Sequence, residues 1–224
     1  MVPKYKIFPL SDSAITIDFG NVIDEKINDF VMKLFKSCLQ NPFEGMIEAM
    51  PAYSSLTIFY DVWKVRNANK SFKTAFNFVE NYFKKILQDT DSKIVNEFNL
   101  VEIPVVYDGE DLAFVAEYNQ LTIAEVIEIH TAPIYKVYMM GFLPGFAYLG
   151  GLDAQIATPR KDSPRTKVPA GSVGIAVNQT GIYPSESPGG WQLIGRTELQ
   201  LYTPNSSQIT LLKAGDLVKF EQVL

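Results

Sequence analysis

The chain has 224 residues, 47% of them hydrophobic and 20% charged, a balance that supports a folded core and excludes a disordered or low-complexity protein. Twenty basic and 25 acidic side chains give a net charge of −5, which argues against a nucleic-acid partner. No segment approaches the roughly 18 apolar residues of a membrane span, and the N-terminal residues do not resemble a signal peptide, so we expect a cytoplasmic protein without a membrane anchor. With one cysteine, Cys38, and one histidine, His130, a His/Cys metal site has too few ligands.

The first part of the chain alternates between strand and helix periodicities. The pattern predicts strands at residues 14–19, 46–50 and 55–60, and helices at residues 27–38 and 72–86. Because Cys38 continues the apolar face of the first helix, we assign it to packing rather than chemistry. The elements together predict an α+β N-terminal domain over residues 1–92, with its helices on one face of a small sheet. The polar run at residues 88–99 is the predicted linker.

The second part of the chain is dominated by strand signals. A capping-box pair, Thr122 and Glu125, predicts a helix from residue 122 to about 130. A strand containing Pro104 is expected before it, at an edge of a sheet or at the entry to one. Further strands are predicted at residues 134–140, 172–178, 193–203, 209–213 and 217–223. Many strands with turn signals between them predict an all-β barrel or sandwich over residues 93–224.

Glycine is concentrated in one quarter of the chain. Ten of the 14 glycines and six of the 13 prolines lie between residues 141 and 196, together with three of the four arginines. This segment carries five basic and three acidic residues, a net +2, so the remainder of the chain carries −7. No phosphate-binding loop or dinucleotide motif is present in the sequence. Loops of this composition suit either barrel turns or an anion site.

Three arginines are the predicted anion binders. Arg160 and Arg165 each follow a proline, which stiffens the backbone before a guanidinium able to capture a carboxylate or phosphate with two hydrogen bonds; Arg196 is the third. Residues 187–190, which include Gly189 and Gly190, are expected to present successive backbone N–H groups as an anion nest.

Aromatic side chains interleave with the same loops. Phe142, Pro144, Phe146 and Trp191 are expected to form either the wall of a ligand pocket or a plug at a barrel end. His130 is a weak catalytic candidate, because a histidine at the inner side of a helix end more often makes structural hydrogen bonds. No nucleophile or general base is identified, so the catalytic residues stay unknown.

Long segments resemble a known family. GFLPGFAYLGGL, ATPRKDSPRTKVPAGSVGIAVNQTGIYPSESPGGWQLIGRT and IHTAPIYKVYMMGF are similar to the carboxyltransferase A/B domain group, which includes the B subunit of 5-oxoprolinase, the Kip-type histidine kinase inhibitor and the first subunit of allophanate hydrolase. The resemblance covers nearly the whole chain, and its glycine-proline motif is long and not repetitive. It implies an α+β N-terminal domain and a C-terminal cyclophilin-like β-barrel, without implying prolyl isomerase activity.

The resemblance also implies a function. The leading expectation is the B subunit of an ATP-dependent 5-oxoprolinase, a cyclic-amide hydrolase that opens 5-oxoproline to glutamate. It is expected to be active in complex with a second cyclophilin-like subunit, the C subunit of such enzymes, and with a lactam-utilisation protein as the A subunit. ATP with Mg²⁺ is implied by the resemblance alone, and no metal site is expected in this chain. Gln179 and Tyr183 are then expected to hydrogen-bond the lactam amide. The alternatives are an inhibitor of a sporulation-type sensor histidine kinase and a subunit of allophanate hydrolase or another urea-processing enzyme.

Overall fold

The computed structural model describes residues 2–88 and 99–224 and divides into two units, Met1–Glu97 and Phe98–Leu224. The predicted linker at residues 88–99 lies, apart from its two end residues, outside the described residues. The predicted limits at residues 92 and 93 also lie there, and they stay a prediction. Among the described helices, none has the length and apolar character needed to cross a membrane.

The first unit is a small antiparallel sheet with helices. Its described elements in chain order are β1 (Lys6–Ser11), β2 (Ala14–Asp18), α1 (Glu25–Gln40), β3 (Met46–Pro51), β4 (Ser55–Tyr60), α2 (Val62–Ala68) and α3 (Ala75–Gln88). The sheet order is β1-β2-β4-β3. The Asp24 carboxylate accepts a hydrogen bond from the Ile27 amide at 2.9 Å and so caps the start of α1.

One face of this sheet carries the core of the first unit. Ile15 pairs with Ile58, and Ile17 with Leu56, across β2 and β4, and all four side chains are fully buried. Helices α1 and α3 pack on the sheet and bury their apolar stripes in the same cluster. The predicted helices are thus confirmed, whereas β1 and α2 were not located from the sequence. Cys38 lies in this core, and its burial raises the pKa of the thiol to about 12.

The second unit is a barrel-like sheet with two helices, so it is not all-β. Its described elements are β5 (Leu100–Val105), α4 (Leu112–Tyr118), α5 (Ile123–Thr131), β6 (Tyr135–Met140), β7 (Ala147–Gly150), a 3₁₀ turn (Ala154–Ile156), β8 (Arg165–Val168), β9 (Ser172–Ala176), β10 (Gln179–Ile182), β11 (Ser187–Gly189), β12 (Gln192–Arg196) and β13 (Leu217–Gln222). The capping box of Thr122 and Glu125 is present at the start of α5, as predicted.

Seven of these strands form one nearly closed sheet in the order β12-β9-β10-β7-β6-β13-β5. Neighbouring strands are antiparallel except for β13 and β5, which are parallel. The two ends meet at a bridge in which Val106 and Arg196 exchange two backbone hydrogen bonds of 2.9 Å. The expected edge strand, β5, is therefore the last strand of the sheet, and the bridge beyond it satisfies backbone groups that an open edge would expose.

Some sequence predictions for the second unit were wrong in extent. The strand expected at residues 193–203 ends at Arg196, and residues 209–213 contribute only the Tyr202–Thr210 bridge. The short strands β8 and β11 pair with each other in a separate two-stranded ribbon. Both strands of this ribbon belong to the glycine-rich segment, whose strands β7, β9, β10 and β12 lie in the seven-stranded sheet.

Candidate functional site

A small cavity in the second unit gathers most of the predicted pocket residues. It has a volume of about 270 Å³. Its lining residues are Phe142, Phe146, Tyr148, Arg160, Lys161, Pro164, Tyr183, Pro188, Gly189, Gly190 and Trp191. We call it the aromatic cavity. Its volume lies just below the usual range of small-molecule sites, about 300 to 1,000 Å³, and therefore suits a ligand smaller than a typical drug.

The aromatic wall is held by edge-to-face ring packing. The Phe146 ring lies 5.4 Å from both the Tyr183 and Trp191 rings and 4.9 Å from the Tyr148 ring, with interplanar angles of 61° to 88°. Phe146, Tyr183 and Trp191 are all buried within one apolar cluster. Rings held on several sides lose little freedom on binding, so this wall is preformed.

Phe142 lies at the exposed side of this wall. Its side chain is 61% exposed, and its ring packs edge-to-face on Phe146 at 5.5 Å. The backbone of Phe142 has φ +66°, a conformation that costs a non-glycine residue free energy. In this conformation the Phe142 ring lines the cavity. Pro144, predicted as part of the wall, is exposed and does not line the cavity.

Arg160 is the arginine of the predicted three that lines the cavity. Its guanidinium carbon lies 6.0 Å from the centre of the Trp191 ring, a cation–π arrangement. Within the described residues the Arg160 guanidinium forms neither an ion pair nor a hydrogen bond with the protein. It is thus available to an anionic ligand.

The chain before and after Arg160 is fixed by hydrogen bonds. The Lys161 amide donates to the Gly190 carbonyl at 2.8 Å, and the Gln192 side-chain amide donates to the Pro159 carbonyl at 2.8 Å. The backbone that carries the guanidinium is therefore held against the connection between β11 and β12, which contains Trp191, while the side chain of Arg160 stays exposed.

Arg165 does not line the cavity, because the protein supplies its anions. Its guanidinium pairs with Asp111 and with Glu110, and it donates to the Trp191 carbonyl at 3.2 Å. The side chain is only 14% exposed. The hydrogen bonds that the Arg165 guanidinium was expected to give to a substrate are thus made to Asp111 and Glu110, and Arg165 positions Trp191 instead.

Two other predicted binding residues also lie away from the cavity. Arg196 is 64% exposed and pairs with Asp108 at 3.1 Å, at the bridge that closes the sheet. Gln179 is buried at the start of β10 and does not line the cavity. Arg196 and Gln179 are close to the cavity residues in sequence, but they lie on different strands, β12 and β10, and not at the cavity.

Gly189 and Gly190 line the cavity, but they do not form the predicted anion nest. Residues 187–189 form strand β11, and neither glycine has the positive φ that a nest requires. A Cβ at Gly189 would lie 2.3 Å from the Tyr183 hydroxyl oxygen, whereas a Cβ at Gly190 would make only ordinary contacts, the nearest with Pro164 at 3.6 Å. Gly189 is therefore required by the Tyr183 ring.

Tyr183 brings a hydroxyl group to the cavity. Burial raises the pKa of Tyr183, outweighing the opposing effects of a hydrogen bond from the Trp191 backbone and of the positive charges on Arg160 and Arg165. The phenol is consequently protonated at neutral pH and keeps a proton to donate to a ligand oxygen.

His130 lies inside the barrel and not at the cavity. Its Nδ1 is 2.7 Å from the Tyr107 hydroxyl, and its Nε2 is 2.9 Å from the Thr180 hydroxyl. Because Thr180 donates its proton to the Gly174 carbonyl, it must accept from Nε2–H, which leaves Nδ1 as the acceptor for Tyr107. Burial lowers the pKa of His130 to about 3. The weak catalytic candidate is thus a neutral, fully buried structural residue.

Some residues at the site were not predicted from the sequence. Tyr148 belongs to the aromatic run that follows Gly141, and Lys161 adds to the positive charge of the same segment, but no sequence pattern assigns either residue to a binding site. Asp111, buried on the loop before α4, contacts Lys161, Arg165 and the Leu193 amide. An acidic residue 50 or more positions away from its basic partners leaves no local signal in a single sequence.

The cavity combines flat apolar walls, one unpaired guanidinium and a phenol donor. This set is suited to a small ligand that combines a flat face with an anionic group and a hydrogen-bond acceptor. Within residues 2–88 and 99–224, no group of three or more His, Cys, Asp or Glu side chains could hold a metal ion.

Known proteins resemble the chain over nearly its full length. It matches the family described as carboxyltransferase domain, subdomain C and D, over residues 5–212. It is 48% identical to the B subunit of 5-oxoprolinase from Bacillus subtilis (strain 168), over 100% of this chain and 95% of the relative. It is 34% identical to the B subunit of 5-oxoprolinase from Escherichia coli O157:H7, over 97% of this chain and 95% of the relative.

A solved structure shares the fold. The crystal structure of TTHA0988 is 34% identical and superposes with a TM-score of 0.80, covering 94% of this chain. The chain spans 40% of that longer protein. Together with the sequence matches, this places the chain in the carboxyltransferase domain (subdomain C and D) family, among proteins that include the B subunits of 5-oxoprolinases.

Proposed function

We propose that the chain is the B subunit of a multi-subunit, ATP-dependent 5-oxoprolinase, and that the aromatic cavity binds 5-oxoproline. The observation that carries the proposal is the unpaired Arg160 guanidinium at an aromatic-walled cavity, in a chain 48% identical to a protein named as the B subunit of 5-oxoprolinase. 5-Oxoproline is a flat five-membered lactam with one carboxylate, which is the chemistry that such a cavity recognises.

Each part of the ligand has a counterpart in the cavity. The carboxylate binds Arg160, where a guanidinium gives two parallel hydrogen bonds. The ring lies against Trp191 and Phe146, and the protonated Tyr183 hydroxyl donates to the lactam oxygen. Arg165 acts indirectly by holding the Trp191 carbonyl, and Arg196 and Gln179 take no part in binding.

The cavity fits a monocarboxylate better than ATP. It offers one unpaired guanidinium, and within the described residues neither a cluster of carboxylates for Mg²⁺ nor a phosphate-binding glycine loop accompanies it. In this proposal the ATP-dependent step belongs to the assembled complex. This chain's own residues orient the lactam and donate a hydrogen bond to the oxygen on which negative charge accumulates.

The proposal also covers the domains of the chain, its location in the cell and its partner subunits. The chain comprises an α+β domain, residues 1–92, and a cyclophilin-like domain, residues 93–224. It acts in the cytoplasm with a second cyclophilin-like protein and a lactam-utilisation protein, and it hydrolyses the lactam only within that complex. The names of its relatives, which are subunits of a larger enzyme, support the need for partners.

The test is 5-oxoproline-dependent ADP release by the chain mixed with the two partner subunits. Arg160→Gln removes the proposed carboxylate ligand, and Arg196→Gln is the matched control, because it removes a guanidinium paired with Asp108 away from the cavity. We expect the KM for 5-oxoproline to rise about tenfold or more in Arg160→Gln, since a charge-assisted hydrogen bond is worth about 1.5 to 3 kcal/mol, and to change little in the control.

Two results would reject the proposal. One is a rate of ADP release no greater than that of the partner subunits alone. The other is an unchanged KM in Arg160→Gln. The kinase-inhibitor and urea-processing alternatives stay predictions, and inhibition of histidine kinase autophosphorylation by the purified chain is the measurement that would favour the former.

A further inference from the structure

A second concavity shares Arg160 with the aromatic cavity. It has a volume of about 470 Å³, within the usual range of small-molecule sites. Its walls include Phe114 of α4, the segment that carries Pro159, Arg160 and Asp162, and the side chain of Gln192. We call it the polar concavity. Phe114 and Pro159 give it an apolar side, and the other five lining residues are polar or charged.

Two side chains of opposite charge in the polar concavity, Arg160 and Asp162, form no ion pair among the described residues. Neither the Arg160 guanidinium nor the Asp162 carboxylate forms an ion pair with any described residue. The other charged side chain of the lining, Lys161, is neutralised by Asp111 at 3.1 Å. Within the part of the chain that the structure describes, the concavity therefore offers one unpaired cation and one unpaired anion.

Gln192 adds an unsatisfied acceptor. Its side chain is only 3% exposed, and its amide nitrogen donates to the Pro159 carbonyl at 2.8 Å. Its Oε1 is buried and has no hydrogen-bond partner among the described residues. A buried polar atom left unpaired lowers the stability of the fold, so a donor brought by a ligand gains a favourable partner after a small side-chain shift.

We propose that the polar concavity is a binding site for a free α-amino acid. The ligand's carboxylate binds Arg160, its ammonium group binds Asp162 and the Gln192 carbonyl oxygen, and its side chain lies against Phe114 and Pro159. A zwitterion matches this lining because it supplies an anion, a cation with several N–H donors and an apolar arm at once. An anion alone would leave the Asp162 carboxylate unpaired, and an amine alone would leave Arg160 unpaired.

Sharing of Arg160 links the two cavities. A guanidinium that binds an amino-acid carboxylate is no longer free for the ligand of the aromatic cavity. The two ligands therefore weaken each other's binding, and the coupling is reciprocal. The amino-acid site itself does not depend on the identity of the ligand in the aromatic cavity.

The test uses NMR spectra of the ¹⁵N-labelled full chain. L-Leucine is the probe, N-acetyl-L-leucine lacks the ammonium group, and L-leucinamide lacks the carboxylate. We expect saturable shifts of the Asp162 and Ser163 amides with L-leucine at millimolar concentration, and affinities at least about fivefold weaker for the two blocked compounds. L-Glutamate, which has the same backbone groups, should shift the same amides.

Variants separate the charges. Asp162→Asn should weaken L-leucine binding at least about fivefold without weakening N-acetyl-L-leucine, because the ammonium partner alone is removed. Glu198→Gln is the control, since it removes an exposed carboxylate that is not part of the concavity. Both substitutions alter exposed side chains, so the fold should be retained.

Three outcomes would overturn the amino-acid site. They are the absence of saturable shifts with L-leucine, equal binding by N-acetyl-L-leucine, and unchanged affinity in Asp162→Asn. Binding in the aromatic cavity is read separately from the Trp191 indole signal during a 5-oxoproline titration. Failure of that titration would count against the proposed function and would leave the L-leucine result intact.

Discussion

Asp111 and Arg165 form a buried ion pair, with Oδ2 2.5 Å from Nη2. The same carboxylate accepts the Leu193 amide at 2.7 Å and the Lys161 ammonium at 3.1 Å. Asp111 stands at the N-cap position of α4, yet its side chain caps no helix amide. The carboxylate oxygens of Asp111 instead bind residues 161–165 and the Leu193 amide, and so connect the loop before α4 to both of these segments.

Replacing Asp111 with asparagine should destabilise the second unit by about 3 kcal/mol, because it leaves the guanidinium of Arg165 largely buried with only the exposed Glu110 as a charged partner. Asp108→Asn is the control, since its pair with Arg196 is exposed and should be worth less than about 1 kcal/mol. The measurement is the free energy of unfolding in urea, followed by Trp191 fluorescence in a Trp63→Phe background. Equal losses in the two variants would contradict a special role for Asp111.

Gly189 and Gly190 provide a matched pair at the cavity. Gly189→Ala places a methyl group against the Tyr183 ring, so we expect a stability loss of about 1 to 3 kcal/mol and weakened ligand binding. Gly190→Ala has room for its methyl group and should keep stability within about 1 kcal/mol. Thermal unfolding and 5-oxoproline titration of both variants measure these effects. A Gly189→Ala protein as stable as Gly190→Ala would show that Tyr183 can move freely.

Val177 carries strain that a substitution should relieve. It lies in the tight connection between β9 and β10 with φ +55°, which a β-branched side chain tolerates poorly, and it is 58% exposed. Two hydrogen bonds with Thr158 hold it there, with Val177 N to Thr158 O at 2.7 Å and Thr158 N to Val177 O at 3.2 Å. Val177→Gly should raise the free energy of unfolding by about 0.5 to 1 kcal/mol, after the larger entropy of the unfolded glycine chain is deducted.

The control for this prediction is Val22→Gly, at an exposed valine without positive φ. That variant should be less stable than the parent protein, because it gains flexibility in the unfolded state without relief of strain. Urea denaturation compares the two. A Val177→Gly protein that loses as much stability as Val22→Gly would indicate that the backbone at Val177 is relaxed.

The sequence predicted those elements whose signals are local. Apolar spacing located α1 and α3, and the capping box located α5 within one residue. The sequence did not predict the short strands β7, β8, β10 and β11, because three or four residues are too few to display a periodicity. Their pairing also depends on strands that are distant in the sequence. Residues 209–213, which were expected to form a strand, contribute the single Tyr202–Thr210 bridge and are not part of a described strand.

The sequence indicated which segment supplies the residues of the aromatic cavity, but it did not indicate which of its charges are paired. The glycine-rich segment supplies both Arg160 and Trp191, as expected from the clustering of glycine, arginine and aromatic residues. Which arginine faces a ligand depends on where Asp108, Glu110 and Asp111 lie, and these are brought to Arg165 and Arg196 by tertiary structure. Net charge over a segment cannot reveal that two of its three guanidinium groups are already neutralised.

His130 should remain neutral in the folded protein down to about pH 3. Its folded pKa, about 3, lies below the ordinary value of 6.5, so between these values the unfolded chain binds a proton that the folded chain does not. Stability from this group is therefore fully present above pH 6.5 and is lost as the pH falls towards 3. At about 1.4 kcal/mol per pKa unit, the loss is about 2 kcal/mol at pH 5.

Because the chain has a single histidine, NMR signals of its imidazole need no further assignment to follow this titration. In the folded protein the ¹⁵N shifts should show the Nε2–H tautomer, fixed by Tyr107 and Thr180, and should not change between pH 8 and pH 5. The chain unfolded in urea is the control and should titrate with a midpoint near 6.5. A midpoint near 6.5 in the folded protein would mean that His130 is reached by solvent, and it would return this residue to the list of candidate acid–base groups.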